Sequence, residues 1–215
     1  MQKKYLFSIA LSSLILAGCS SSVGDTSSDI SLSDTKDTSK QTNSKQLQIP
    51  TEAPMKKLAD FEKIDAKTAV ISTNKGEIEV ELYPDMAPVT VASFLSLIQS
   101  KFYDGVIVHR VEPGFVIQVG DPKTKEAGKE AEWGTGGPGY TIPDEFSSDY
   151  KYDQEGILAM AKTSAPNSGG SQFFITLGPA EFLNGSYTVF GKVTKGMDVV
   201  KNIAVGDKIT TVTYK

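Results

Sequence analysis

Val108-His109-Arg110-Val111-Glu112-Pro113-Gly114-Phe115-Val116-Ile117-Gln118, and further on Ser171-Gln172-Phe173-Phe174-Ile175, are the two runs from which the rest of the chain is read. Pro113-Gly114 marks a turn inside the first run, so it divides into strands over 106–111 and 115–119. The second run is a further strand, 172–176. Between them they carry one arginine, two glutamines and three phenylalanines, with no plausible nucleophile beside them. Such a set suits a site that grips an apolar peptide and breaks no bond.

Working outward, 68–73, then Asn74-Lys75-Gly76, then 77–82 reads as a hairpin. Glu77-Ile78-Glu79-Val80-Glu81-Leu82 alternates charged and apolar, which leaves one face wet and buries the other. Pro88 suits the first position of a helix, where its missing N–H costs nothing. Val91, Phe94, Leu95 and Ile98 follow at helical spacing and form one apolar stripe. Segments 157–161, 188–193 and 210–214 are further short strands, and 197–203 a second helix. A long loop, 121–140, is first charged and then glycine-rich. About eight short strands with two helices, and Gly or Pro at most turns, predict a mainly β antiparallel barrel capped by helices, one domain over residues 57–215.

The first quarter of the 215 residues differs in kind. Lys3 and Lys4 precede a largely apolar stretch, 5–16, which is short of the roughly 20 residues a spanning helix needs. Leu16-Ala17-Gly18-Cys19 then resembles a bacterial lipoprotein processing box. It implies a signal peptide over 1–18 and a diacylglyceryl thioether on Cys19, the only cysteine in the chain, so no intrachain disulfide is available. Each buried lipid CH₂ contributes about 0.8 kcal/mol, so a two-chain anchor holds where one chain exchanges. Residues 19–56 are rich in Ser, Thr, Asp, Lys and Gln and lack apolar periodicity. They read as a disordered tether with an r.m.s. span of roughly 35 Å. The expected location is extracytoplasmic, lipid-anchored to a bacterial cell membrane. Cleavage takes the formal charge from −4 to −6. That balance, with no basic stripe, argues against nucleic acid as a partner.

Other motifs yield to simpler readings. Gly134-Thr135-Gly136-Gly137-Pro138-Gly139 fits G-x-G-x-x-G in letters, but Pro138 interrupts it and extended chain follows, so it reads as a surface loop and not a dinucleotide site. His109 is the only histidine. Gly169-Gly170-Ser171-Gln172-Phe173 lacks the final glycine of a nucleophile elbow, so a Ser–His hydrolase is not supported. His109 reads as a structural residue with its ring nitrogens hydrogen-bonded in the barrel wall. With no second histidine or cysteine in the domain, neither a transition-metal site nor any cofactor is expected. Arg110 lies on the opposite strand face from His109. It reads either as a surface or ion-paired arginine, with Glu112 or Asp121 as partner, or as a guanidinium held over an apolar pocket.

The two opening runs resemble the cyclophilin family of peptidyl-prolyl isomerases. So do Gly156-Ile157-Leu158-Ala159-Met160-Ala161, Pro166-Asn167 and Val189-Phe190-Gly191-Lys192-Val193. The resemblance covers roughly 68–214. It implies a closed eight-stranded barrel capped by two helices, and acceleration of X-Pro bond rotation in exported or surface proteins. Carried over by position, Arg110 matches the family's catalytic arginine. Phe115, Val116, Phe174 and Leu183 match its proline-pocket lining. Gln118 and Ala161 match residues that hold the substrate backbone, and Gln172 belongs to the same substrate-binding set. Lys162 stands where many members have asparagine, whose backbone groups hold the peptide. Phe182 stands in place of the tryptophan of cyclosporin-sensitive members, and Tyr187 in place of their histidine. The resemblance therefore implies weak or no cyclosporin binding, proline-containing segments as partners, and a monomer. It also marks 123–133 as a charged insertion and one extra residue in 162–170. A peptide-binding chaperone or adhesion module with little turnover is the alternative from a different functional class.

Overall fold

The computed structural model of the chain describes residues 53–215. Cys19, the leader and the tether as far as residue 52 lie outside the described residues. Strands β1 (Thr68–Thr73) and β2 (Gly76–Leu82) form the expected hairpin, with Thr73 opposite Gly76. Ile78, Val80 and Leu82 are buried and the glutamates between them are not. Helix α1 spans Pro88–Gln99 with proline at its first position, and Val91, Phe94, Leu95 and Ile98 are all buried along its stripe. Its N-cap residue, Ala87, has no side chain able to cap. The cap comes from a distant carboxylate instead. Glu145 accepts from Val89 N (2.9 Å), Thr90 N (2.8 Å) and Thr90 Oγ1 (2.7 Å), a negative charge at the positive end of the helix.

The remaining elements are β3 (Arg110–Glu112), β4 (Val116–Val119), β5 (Ile157–Met160), β6 (Phe173–Thr176), β7 (Val189–Lys195), α2 (Met197–Lys201) and β8 (Ile209–Tyr214). The strands form one antiparallel sheet in the order β3-β4-β6-β5-β7-β2-β1-β8. The fold is thus mainly β, a curled eight-stranded sheet with two α-helices.

The expectation of a closed barrel needs correction, because the continuous ladder is open between β3 and β8. The strand expected over 106–111 joins β4 only from Arg110 onward. Upstream, the backbone groups find other partners. Ile107 N donates to Thr124 Oγ1 (3.0 Å), Val108 N to Asp207 O (2.7 Å), and Ile209 N to Val106 O (2.9 Å). The two edges therefore meet through a single bridge, Ile107 opposite Lys208.

Two apolar clusters lie on opposite faces of this sheet. In the larger, Phe94 of α1 meets Tyr103, Phe173 and Phe190 with ring centroids 5.3, 5.5 and 5.3 Å away. The smaller gathers Val116, Ile157, Ala159, Phe174 and Leu183. Strand β6 serves both, since successive side chains point to opposite faces: Phe173 enters the large cluster and Phe174 the small one. Residues 54–56, assigned to the tether by composition, run beside Thr141. Lys56 N donates to Thr141 O (2.8 Å), Thr141 N to Pro54 O (3.0 Å), and the Lys56 ammonium sits 4.3 Å from the Tyr140 ring centroid. Among the described residues no helix is long and apolar enough to cross a membrane.

Candidate active site

Strand register builds the site. Arg110 of β3 pairs with Gln118 of β4, Gln118 with Phe174 of β6, and Phe174 with Ala159 of β5. Residues opposite one another share a sheet face, so a cation, an amide and an aromatic ring stand in one row on the face away from α1. The turn joining β3 to β4 keeps that row in register. Phe115 N donates to Glu112 O (2.9 Å) across Pro113-Gly114, and Gly114 adopts φ +74°, a conformation that glycine takes without steric cost. The turn also brings Phe115 back beneath Arg110, whose guanidinium carbon is 5.9 Å from the ring centroid.

The row opens onto a cavity of about 250 Å³. Phe115, Val116, Phe174 and Leu183 line it, together with Arg110, Gln118, Ala161, Lys162, Phe182 and Tyr187. Of the site residues singled out in the sequence that fall among the described residues, all but Gln172 line this one space. Val116, Phe174 and Leu183 are buried, and Tyr187 lies edge-on to Phe174 at 5.6 Å. Phe182 is 74% exposed and tilted against Phe115 at 5.4 Å, which forms an apolar lip.

The Lys162 ammonium is engaged by Asp144 and the 163–168 loop. It pairs with Asp144 Oδ2 at 3.6 Å and donates to Ala165 O at 3.2 Å. The adjacent 163–168 loop is tied by Thr163 N to Ser168 Oγ (3.0 Å), and to Asp144 by Asn167 N (2.9 Å). Ala161 N donates to Gln172 O (2.9 Å), which extends the β5–β6 edge to the cavity rim.

Arg110 is held from two sides. Nη1 donates to Gln118 Oε1 (3.3 Å), and Nε faces Glu112 Oε1 (3.5 Å). Both readings of this arginine therefore hold at once: it is ion-paired with Glu112 and it overhangs an apolar pocket. Gln118 Nε2 donates to Gln172 Oε1 (2.9 Å), and Gln172 Nε2 donates to Gly134 O (2.9 Å) and Gly136 O (2.8 Å). Gln172 thus stands behind the pocket and not in its wall. It lines a second, larger cavity of about 570 Å³ that shares Gln118, Ala161 and Lys162 with the first. Tyr140, Ser168, Ala53 and the Gly134–Gly139 loop are among the other residues that line it.

Sequence reasoning missed Asp121 as a member of this site. Its carboxylate is fully buried and accepts from Lys123 N, Gly134 N and Gly136 N at 2.8, 2.6 and 3.0 Å. A Cβ on Gly136 would overlap Asp121 Oδ1, so glycine is required there by contact. The signal was available in principle, since an acid follows Gln118 closely and a glycine run ends the same loop. Nothing in the spacing joined them. The reading of His109 as hydrogen-bonded also needs correction. Among the described residues neither buried ring nitrogen makes a hydrogen bond of good geometry, although the Gln172 side chain and the Ile107 backbone lie near the ring; Trp133 Nε1 is likewise buried without a partner. His109 lies just before β3, with Gly134 of the 121–140 loop beside its imidazole. Burial pushes its pKa below the ordinary value. Among the described residues no group of three His, Cys, Asp or Glu side chains is placed to hold a metal ion.

Comparison with known proteins points to one family. The profile described as cyclophilin type peptidyl-prolyl cis-trans isomerase/CLD matches residues 68–214. Peptidyl-prolyl cis-trans isomerase B of Bacillus subtilis is 49% identical over 131 residues, which cover 61% of this chain and 85% of that protein. A peptidyl-prolyl cis-trans isomerase of Schizosaccharomyces pombe is 44% identical over 135 residues, covering 63% of this chain and 83% of that protein. Among solved structures, a cyclophilin type isomerase of Cryptosporidium parvum superposes with a TM-score of 0.63 at 32% identity, over 70% of this chain and 98% of its own. A second structure of that protein was determined in the presence of the dipeptide Ala-Pro, with a TM-score of 0.62 at 34% identity, over 69% of this chain and 98% of its own.

Proposed function

The chain belongs to the cyclophilin-type peptidyl-prolyl cis-trans isomerase family, and from that premise we propose that it catalyses X-Pro rotation at the Arg110 cavity, acting as a monomer on exported proteins while anchored to the membrane through Cys19. The isomerase class itself follows from the family. The site, the clients and the location are our reading. The observation that carries it is the row Arg110–Gln118–Phe174 above an apolar cavity of about 250 Å³.

A peptide bond resists rotation by about 20 kcal/mol because the nitrogen lone pair is delocalised into the carbonyl. Rotation needs neither a proton transfer to solvent nor a covalent intermediate. At the twisted geometry the lone pair returns to the prolyl nitrogen, which becomes a hydrogen-bond acceptor that it was not in the planar state. A donor aimed at that point stabilises the transition state more than the ground state, which is the condition for catalysis. Arg110 is our candidate for this donor. Its guanidinium overhangs the cavity and has donors beyond those used by Gln118 and Glu112. Phe115, Val116, Phe174 and Leu183 hold the proline ring still. Gln118 and the backbone at Ala161 and Lys162 hold the chain on one side while the other side turns. The Lys162 side chain is directed to Asp144, which leaves its backbone available for the role that asparagine's backbone has in many members.

The test is an isomerisation assay, protease-coupled or by NMR exchange, on wild type and Arg110→Ala. Since each 1.36 kcal/mol is tenfold in rate, loss of the donor should cost on the order of a hundredfold in kcat/KM with little change in melting temperature. Turnover unchanged in a folded Arg110→Ala protein removes Arg110 from the mechanism.

A further inference from the structure

We propose that Asp121 is a positioning residue for isomerisation: its buried carboxylate fixes the Gly134–Gly136 turn, whose carbonyls hold Gln172, and through Gln172 and Gln118 aim the Arg110 guanidinium. This rests on the reading of Arg110 as the donor to the prolyl nitrogen. The carboxylate is fully buried, and among the described residues no cation pairs with it. A buried charge of this kind is stable only where hydrogen bonds replace its water. The replacements are three backbone N–H groups, two of them from Gly134 and Gly136. With those N–H groups turned to Asp121, the carbonyls of the same two glycines receive the Gln172 amide.

The direction of the relay follows from amide chemistry. A glutamine has one donor end and one acceptor end. Both Gln172 N–H bonds are taken by Gly134 O and Gly136 O, so its oxygen faces Gln118 Nε2 at 2.9 Å. Gln118 must then present its own oxygen to Arg110, at 3.3 Å. Flipping either amide would set acceptor against acceptor or donor against donor. Opposing the relay is Glu112, which draws Nε at 3.5 Å. The guanidinium is therefore held between an amide aimed by Asp121 and a half-exposed carboxylate. The charged insertion clamps the same turn from outside. Lys123 Nζ bridges Glu132 Oε2 (2.7 Å) and Thr135 Oγ1 (3.0 Å), while Lys129 Nζ holds Glu132 Oε1 (2.6 Å).

The experiment measures kcat and KM on the full chain by NMR exchange, and proline-peptide Kd by calorimetry. Asp121→Asn places an NH₂ against a backbone N–H and loosens the turn. The expected result is roughly tenfold lower kcat with peptide Kd changed less than about twofold, as for misalignment without loss of the pocket. In an Arg110→Lys background, which keeps a point charge that the relay cannot orient as a planar fork, Asp121→Asn should bring no further loss. An unchanged kcat in folded Asp121→Asn overturns the proposal, as does a loss that recurs in full in the Arg110→Lys background. Should Asp121→Asn fail to fold, the half-exposed Glu132→Gln decides. Loss of its two charged bonds should lower kcat about threefold at constant peptide Kd, and an unchanged kcat overturns the proposal. Full turnover by Arg110→Ala would instead sink the underlying reading of Arg110, an outcome separate from any seen with Asp121.

Discussion

Phe182 offers an apolar face at the cavity lip but no N–H, so it lacks the donor that the tryptophan of cyclosporin-sensitive relatives carries on its larger indole. Its ring is 74% exposed and rests on Phe115, so a larger indole fits without disturbing a core. A hydrogen bond of this kind is worth about 0.5–1.5 kcal/mol net, roughly tenfold at the upper end. Phe182→Trp should therefore tighten cyclosporin binding about tenfold by calorimetry, with little change in turnover on a proline peptide; equal affinity in the two proteins would show that the missing donor is not the determinant. His109 makes a different kind of prediction. Burial holds its pKa below the ordinary 6.5, so the unfolded chain takes up a proton first as the pH falls. The stability from the half-buried neutral imidazole is present above about pH 6.5 and is lost progressively below it, until the folded form also titrates. Melting temperature should drop between pH 7.5 and 5.5 in wild type and drop less in His109→Asn. Identical slopes would mean that this histidine does not govern the acid limb. The residue type was legible in the sequence but its environment was not, because the loop that covers His109 arrives from the 121–140 region.

Among the elements, β6 tests the architecture most directly, because adjacent phenylalanines face opposite ways. Phe173 packs between Phe94 and Tyr103 in the main core, while Phe174 forms the cavity floor. Truncating a buried phenylalanine to alanine costs about 3–5 kcal/mol where the site cannot collapse. Phe173→Ala should lose that much stability in urea unfolding and keep the KM of whatever fraction remains folded. Phe174→Ala, beside an existing cavity, should lose less stability and show a raised KM. If both variants gave the same pair of changes, the division into two faces would fail. The alternation in 77–82 and the 91–94–95–98 stripe were readable from the sequence because they are local patterns, whereas 172–176, apolar at three successive positions and buried throughout β6, gave no sign of which phenylalanine faces which cluster. Contacts made over long sequence separations were not readable. The cap on α1 comes from Glu145, 55 residues beyond Thr90. Asp121 joins Gly134 and Gly136 through a loop without periodicity. The seam between β3 and β8 depends on Ile107 meeting Lys208, and a strand that looks continuous over 106–111 gives no sign that its first half pairs elsewhere.

At the scale of the whole molecule, the proposed location turns on Cys19. Every group in the proposed mechanism lies between Arg110 and Tyr187, so catalysis and anchoring should be separable. In a bacterial host that processes lipoproteins, wild type should incorporate labelled palmitate and sediment with membranes. Cys19→Ser removes the only sulfur that could carry a thioether. The variant should stay unlabelled, since a serine cannot accept the diacylglyceryl group, and its kcat/KM measured in detergent should equal that of wild type. Retained label and retained sedimentation in Cys19→Ser would refute the anchor and leave the isomerase intact. If the label is lost but sedimentation persists, the uncleaved apolar stretch 5–16 is holding the chain. A lipid-anchored isomerase with net charge −6 after cleavage would meet its clients by local concentration, not by electrostatic capture. Raising salt from 50 to 300 mM should then change kcat/KM on a neutral proline peptide by less than about twofold, because a neutral substrate leaves no long-range charge attraction to screen.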